Sequence, residues 1–109
     1  MVPMVSGNSH PKYRIEYSPD TVDHFHCLTR FQQVTVLDLV EKQLLFSPDR
    51  ESKNRKPMRP NPIAPWELRI GTLRVYYDIV EAPESVVYIR AIGIKDRNKI
   101  RIGNEVISF

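Results

Sequence analysis

Two arginines and a glutamate alternate with apolar residues on either side of the Gly-Thr dipeptide at positions 71–72. A dipeptide with glycine first suits a two-residue hairpin turn, which would place Arg69 opposite Arg74 and Glu67 opposite Tyr76. Like charges directly opposite each other destabilise a sheet, so a nearby carboxylate or a bound anion must compensate them. Because guanidinium groups match the oxygens of phosphate, the segment predicts either a salt-bridged surface or a phosphate-binding surface.

Further positive charge lies on both sides of this hairpin in the sequence. Residues 50–62 carry five basic side chains and one acidic one in a chain of net charge +3, and a second basic cluster follows at 95–101. By alternation along the following strand, Arg90 joins the face of Arg69, and Tyr76 and Tyr88 are candidates for stacking on bases. The alternatives are an RNA-phosphate surface and a solvated, salt-bridged face. The side chains predicted to bind RNA are Lys53, Arg55, Lys56, Arg59, Tyr76, Tyr88, Arg90, Lys99 and Arg101.

Two helices are predicted between residues 18 and 46. Ser18 as N-cap, with Pro19 at the first helical position, begins a short helix. Thr29 and Gln32 have the spacing of a capping box and begin the second helix. The apolar stripes expected to face the core are Val22, Phe25 and Leu28 in the first helix and Val36, Leu37, Val40 and Leu44 in the second. Since their connection is short, we expect an antiparallel helical hairpin.

Alternating segments predict the strands. One strand covers residues 13–17, and a three-strand meander covers residues 66–92, with Gly93 ending the last strand. A basic, proline-rich stretch at 49–65 links the helices to the meander, and a short element with a turn at residues 103–104 closes the chain. The order predicts an α+β fold with helices on one face of an antiparallel sheet. Residues 1–11 have no periodicity and are expected to be a disordered tail, which leaves 12–109 as one domain.

The composition excludes several classes of protein. Leu, Ile, Val and Phe make up about 29% of the chain, above the roughly 20% typical of disordered proteins. The single cysteine, Cys27, excludes an internal disulfide, and the spacing of His24 and His26 does not suit a metal site. No apolar run approaches the ~20 residues of a membrane span. The first ten residues lack the features of a signal peptide, so we expect a cytoplasmic protein with no membrane partner.

The hairpin and the segments after it resemble the RelE/ParE superfamily of toxins from toxin–antitoxin pairs. The residues that carry the resemblance are WELRIG at 66–71, LRVYYD at 73–78, VYIRAIG at 87–93 and KDR at 95–97, within a likeness that spans residues 13–102. The resemblance implies a small fold whose sheet forms a basic concave surface, and a cognate antitoxin protein as partner. RelE-like members cleave mRNA on the ribosome without a metal, whereas ParE-like members poison DNA gyrase. Leu39 and Leu45 lie outside the central apolar stripe of their helix and would suit such a partner.

The resemblance also implies a set of site residues. Arg74 matches the family's conserved arginine, and Arg69 takes the place of a lysine. A further lysine of the family falls on Glu67, and its C-terminal tyrosine falls near Arg101. The basic residue after the strand falls on Lys95, or on Arg97 if the loop is shifted.

Metal-free RNA cleavage needs a proton acceptor, cations for the phosphorane charge and a proton donor. Glu67 lies on the expected face and is the candidate acceptor, with a salt bridge to an arginine as the alternative role. The predicted catalytic residues are Arg74, Arg69, Lys95, Arg97 and Glu67, with no metal and no cofactor. The predicted function is a ribosome-dependent mRNA endonuclease toxin. The alternative is a gyrase-directed or catalytically weakened toxin that acts by binding.

Overall fold

A computed structural model describes residues 13–109, so the predicted tail at 1–11 lies outside the described residues. This part of the chain contains two helices and seven strands, in the mixed α+β class that the sequence predicts. The elements in chain order are β1 (Arg14–Tyr17), α1 (Asp20–His26), α2 (Arg30–Leu44), β2 (Arg55–Pro57), β3 (Trp66–Ile70), β4 (Leu73–Val80), β5 (Val86–Asp96), β6 (Lys99–Ile102) and β7 (Glu105–Ile107). Neither helix in this range is long and apolar enough to cross a membrane.

The sheet is larger than the predicted three-strand meander. Strands β2 to β7 lie in sequence order and pair antiparallel, and β1 pairs parallel to β5. Strand β5 has 11 residues, so along one of its edges it can pair with two strands, β1 and β6, while β4 pairs along the other edge. Its first half pairs with β1, where Ile15 faces Val87, and its second half pairs with β6, where Ile94 faces Arg101.

The helices cover one face of the sheet through the apolar stripe of α2. Val36, Val40 and Leu44 are fully buried in a core with residues of β3, β4 and β5. Leu37, predicted to share this stripe, is exposed instead, while Leu39 and Leu45, predicted to be exposed, are partly buried. The buried side of α2 therefore differs from the predicted stripe, since it excludes Leu37 and partly includes Leu39.

The starts of the two helices follow different rules. The capping box of α2 is confirmed, because the Thr29 side chain accepts from the Gln32 backbone and the Gln32 side chain accepts from the Thr29 backbone. The N-cap of α1 is Pro19 rather than Ser18. The Ser18 hydroxyl donates to the carbonyl of Arg90 and so ties the start of α1 to β5.

The hairpin between β3 and β4 has the predicted register. Arg69 faces Arg74, and Glu67 faces Tyr76. Gly71 has a φ of +58°, which is the conformation that a glycine-first two-residue turn requires. This local turn therefore fixes which charged residues meet across the strands.

Strand β5 departs from the predicted pattern at two points. Tyr76 pairs with Ala91 while Tyr77 pairs with Ile89, so Arg90 is an extra, bulged residue. Gly93 does not end the strand, which continues to Asp96. A Cβ atom at Gly93 would lie 2.7 Å from the carbonyl oxygen of Arg101, so glycine lets β6 approach β5 closely.

This close approach contributes to a second core on the face of the sheet that the sequence predicted to be open and polar. Its buried residues are Ala64, Tyr76, Ala91, Ile100 and Ile102, with Met58, Ile63 and Ile107 packed against them. The proline-rich segment contributes three of these side chains. Its fold is stabilised by Asn61, whose Oδ1 accepts from the backbone of Ile63 and Ala64 at 2.8 and 3.0 Å.

Candidate functional site

A cleft of about 470 Å³ lies between the proline-rich segment, the β3–β4 hairpin and the β5–β6 turn. It brings together four of the five predicted catalytic residues, namely Glu67, Arg69, Arg74 and Lys95. We call it the basic cleft. Its remaining lining residues are Pro57, Met58, Arg59, Pro60, Asn61, Asn98, Ile100 and Phe109. The cleft is therefore lined by four cationic side chains and one acidic side chain.

The carboxylate of Glu67 is buried between the two opposed arginines. Arg69 Nε donates to Glu67 Oε1 at 2.8 Å, and Arg74 Nε lies 3.9 Å from Glu67 Oε2. A buried carboxylate needs such partners, because leaving it unpaired away from water is costly. Glu67 is thus the carboxylate that compensates the like-charged pair.

The two arginines differ in what they can offer a ligand. The Arg74 side chain is 11% exposed, and its Nη1 donates to the carbonyls of Gly71 and Leu73 at 2.6 and 2.8 Å. The Arg69 side chain is 48% exposed, and within residues 13–109 only its Nε has a hydrogen-bond partner. Arg69 therefore presents free N–H donors to the cleft, whereas Arg74 is anchored on the turn.

Tyr76 lies on the predicted side of the sheet, but the prediction that it is exposed there and free to stack on bases is wrong. The residue is fully buried in the second core, because the proline-rich segment and β6 cover this face of the sheet. Its hydroxyl makes no hydrogen bond of ordinary geometry among the residues that the structure describes. Burial, followed by the nearby negative charge of Glu67 and a weak hydrogen-bond contact with that carboxylate, raises the pKa of Tyr76, so the hydroxyl keeps its proton.

The aromatic ring available at the basic cleft is that of Phe109. It is 54% exposed and packs against Tyr76, with ring centroids 5.4 Å apart. The sequence carries only an indirect signal for it. Ile100 and Ile102 alternate with Lys99 and Arg101, which indicates a strand with one apolar face that carries the end of the chain over the sheet.

Arg90 lines a second, larger cavity of about 720 Å³ on the other side of the proline-rich segment. The Arg90 guanidinium stands 4.8 Å from the centre of the Tyr88 ring and pairs with Asp78 at 3.3 Å. Arg59 lines both cavities. The structure therefore separates Arg90 from Arg69, although both belong to the face away from the helices.

The basic residues before β3 are mostly engaged in local contacts. Arg55 donates to the Gln43 side chain at 2.8 Å and to the carbonyls of Gln43 and Arg50, so its guanidinium faces the end of α2 and not the cleft. Lys56 pairs with Glu51 at 3.4 Å. Lys53 is exposed. The structure therefore does not bring Arg55 to the basic cleft, and its role in binding RNA stays a prediction.

The predicted basic rim at 95–101 contributes only Lys95 to the basic cleft. Arg97 lies at the tip of the β5–β6 turn with a φ of +59° and does not line the cleft. Lys99 and Arg101 alternate with the buried Ile100 and Ile102, so they point to the opposite face of β6. The position at which the resemblance expects a tyrosine is therefore outside this cleft.

His24 connects α1 to β5 next to the larger cavity. Its Nδ1 accepts a hydrogen bond from the backbone N–H of Ile92 at 3.2 Å. Burial lowers the pKa of His24, although the carboxylates of Asp20, Asp23 and Glu105 oppose that shift. Within residues 13–109, no group of three or more His, Cys, Asp or Glu side chains is arranged to hold a metal ion.

The chemistry open to the basic cleft follows from its own residues, since no family model, curated protein or solved structure matches the chain. Arg69, Lys95 and Arg59 can each donate to phosphate oxygens. Glu67 can accept a proton or serve as an internal counter-ion. The half-exposed ring of Phe109 offers a surface on which a base can stack.

Proposed function

We propose that this chain is a toxin of the RelE/ParE type that acts on RNA, with the basic cleft as its phosphate-binding site. The observation that carries the proposal is the direct opposition of Arg69 and Arg74 at a cleft that also holds Arg59 and Lys95. Glu67, the one acidic side chain that lines this cleft, compensates only part of this charge. A cleft with such an excess of positive charge attracts anions and concentrates them at the site.

Single-stranded RNA is the polyanion that the cleft suits best. The cations lie on the sheet and on the proline-rich segment, and the half-exposed Phe109 ring borders the same space. A base can stack on such a ring only when it is unpaired. The combination of phosphate donors and one aromatic ring therefore favours an unpaired nucleotide over a duplex.

Cleavage at this site would proceed without a metal. Glu67 takes the proton of the 2′-hydroxyl, and the 2′-oxygen then forms a bond to the adjacent phosphorus while the bond to the 5′-oxygen breaks. Arg69 and Arg74 stabilise the charge on the phosphorane, and Lys95 donates a proton to the departing 5′-oxygen. The products are a 2′,3′-cyclic phosphate and a 5′-hydroxyl end. Exchange with water then restores the protonation states of Glu67 and Lys95.

A second candidate is a gyrase-directed or catalytically weakened toxin that acts by binding. It is favoured by the ion pair that holds Glu67 and by the backbone carbonyls that occupy Arg74 Nη1. Both contacts reduce the freedom of groups that cleavage would use. In this case the cleft binds its target but transfers protons slowly.

The partner that would neutralise such a toxin, a cognate antitoxin, is proposed to cover an apolar stripe on α2. Phe31, Val34 and Leu37 follow one another at intervals of three residues and are exposed, Phe31 to 80%. Large apolar side chains in a row on one helix face are typical of protein–protein contacts. An amphipathic helix of the partner could bury them.

Induced expression in a bacterial host tests the proposal, with growth, RNA 5′-end mapping and plasmid supercoiling measured together. We expect growth arrest with new 5′-hydroxyl ends in mRNA, and we expect Arg69→Ala to abolish both. Arg101→Ala is the matched control, because it removes an equal charge from the face opposite the cleft, and it should remain toxic. Altered supercoiling without new RNA ends would favour the second candidate. Normal growth of cells that express the unmutated protein would reject the toxin proposal.

A further inference from the structure

The hydroxyl of Tyr76 is a costly feature with no structural benefit in the unliganded protein. The residue is completely buried, and among residues 13–109 its hydroxyl makes no hydrogen bond of ordinary geometry, only a weak contact with the Glu67 carboxylate. A buried polar atom without a partner loses its bonds to water and receives nothing in return. The neighbouring Tyr77 is also completely buried, but its hydroxyl donates to the carbonyl of Pro48 at 2.7 Å.

The acceptor best placed to bond this hydroxyl is the carboxylate of Glu67. The two residues face each other across β3 and β4, and the Glu67 charge acts on the Tyr76 hydroxyl. In the unliganded protein Glu67 turns instead toward the arginines, with Oε1 on Arg69 Nε at 2.8 Å. Glu67 therefore makes a well-formed hydrogen bond with Arg69 and only a weak, poorly aligned contact with the Tyr76 hydroxyl.

We propose that Glu67 is the internal counter-ion of an anion site at Arg69 and Arg74, and that Tyr76 is the positioning residue that receives its carboxylate when a phosphate takes its place. The proposal rests on the proposed function in identifying that phosphate with the RNA backbone. The exchange needs no large movement, because all four side chains lie on one hairpin.

The exchange gives hydrogen-bond partners to the N–H donors of Arg69 and to the hydroxyl of Tyr76. A phosphate has more acceptor oxygens than a carboxylate and suits the free N–H donors of Arg69. The displaced carboxylate stays buried but gains a charge-assisted hydrogen bond from Tyr76. The hydroxyl, in turn, gains a well-formed hydrogen bond in place of its weak contact with Glu67.

The same movement prepares Glu67 for its proposed role in cleavage. With one oxygen accepting from Tyr76, the other oxygen is free to face the ligand. Glu67 is then no longer tied to Arg69, so it can accept a proton from a neighbouring 2′-hydroxyl. Binding of the phosphate and orientation of the proton acceptor therefore become one event.

The test compares Tyr76→Phe with the matched control Tyr77→Phe, using thermal unfolding and titration with inorganic phosphate at constant ionic strength. Tyr76→Phe should raise the Tm of the free protein, because it removes an unsatisfied hydroxyl. It should also weaken phosphate binding about 10- to 100-fold, the value of one charge-assisted hydrogen bond. Tyr77→Phe should lower the Tm, because it removes a made hydrogen bond, and it should leave phosphate affinity unchanged.

Glu67→Gln provides a second, independent variant. It removes the internal negative charge that competes with the ligand, so phosphate should bind more tightly than to the wild type. Equal affinity of wild type and Tyr76→Phe, or weaker binding to Glu67→Gln, would overturn the counter-ion exchange while leaving the proposed function intact. Absence of phosphate binding to the wild-type protein would reject the anion site itself, and with it the proposed function.

Discussion

Gly93 offers the sharpest test of how the fold builds the basic cleft. In Gly93→Ala, the new Cβ atom would lie 2.7 Å from the Arg101 carbonyl oxygen and 2.9 Å from the side chains of Ile100 and Ile102. The carbonyl belongs to the backbone of β6 and cannot rotate away as a side chain can. Strands β5 and β6 must therefore separate by several tenths of an ångström, which opens the second core.

The expected cost of Gly93→Ala is about 3 kcal/mol, the upper end for forcing extra volume into a packed core. The control is Gly71→Ala, where no atom lies within 4 Å of the new Cβ and only the positive φ is unfavourable. That substitution should cost about 1 kcal/mol. At roughly 4–8 °C per kcal/mol for a domain of this size, the Tm should fall by about 12–24 °C at Gly93 and by about 4–8 °C at Gly71.

Urea denaturation followed by the fluorescence of Trp66 measures both costs. Trp66 stacks on Tyr77 at 6.0 Å in the core beneath the helices, so its emission reports unfolding of the whole domain. Phosphate affinity of the folded Gly93→Ala protein should also fall, since Lys95 and Asn98 line the cleft from this hairpin. If Gly93→Ala costs no more than Gly71→Ala, then the close approach of β6 is not what holds the second core together.

Three further predictions concern single groups. Arg97→Gly should raise the free energy of unfolding by about 1 kcal/mol in the same urea assay, because glycine adopts the φ of +59° without strain; unchanged stability would contradict this account of the turn. The free energy of unfolding should fall as the pH drops below about 6.5, the ordinary pKa of histidine, because burial lowers the pKa of His24 in the folded state and the unfolded chain then binds the proton more readily; His24→Gln should flatten the Tm–pH profile, and an unchanged profile would contradict this account. Phe109→Ala should weaken binding of a short single-stranded RNA by about 1–3 kcal/mol in a fluorescence titration and leave inorganic phosphate affinity unchanged, and an equal loss for both ligands would rule out stacking.

The parts of the fold that the sequence predicted correctly depend on short-range rules. The capping box at Thr29 and the glycine-first turn at Gly71 each involve residues within a few positions of one another. The turn alone sets the register of β3 and β4, and this register places Arg69 opposite Arg74. Strand pairing at a two-residue turn leaves no freedom in register, so this part of the site was predictable.

The sequence-based predictions place residues on the correct side of the sheet but miss the segments that cover that side. Alternation placed Tyr76 on the side of the sheet away from the helices, as observed, but it could not show that the proline-rich segment and β6 fold over that side. That covering depends on Gly93 and on contacts between residues far apart in sequence. Arg101 is different, because its alternation with the apolar Ile100 and Ile102 does indicate a side chain directed away from a core.

The charge balance of the basic cleft distinguishes a ligand site from a structural ion pair. A buried carboxylate can be satisfied by one well-placed guanidinium, and Arg69 already reaches Glu67 at 2.8 Å. A buried ion pair by itself adds little stability compared with apolar residues of similar volume. The sheet nevertheless places Arg74 directly opposite Arg69 and adds Arg59 and Lys95 at the same cleft. Glu67 does not balance all of this positive charge, and the remainder is what the proposed phosphate would compensate.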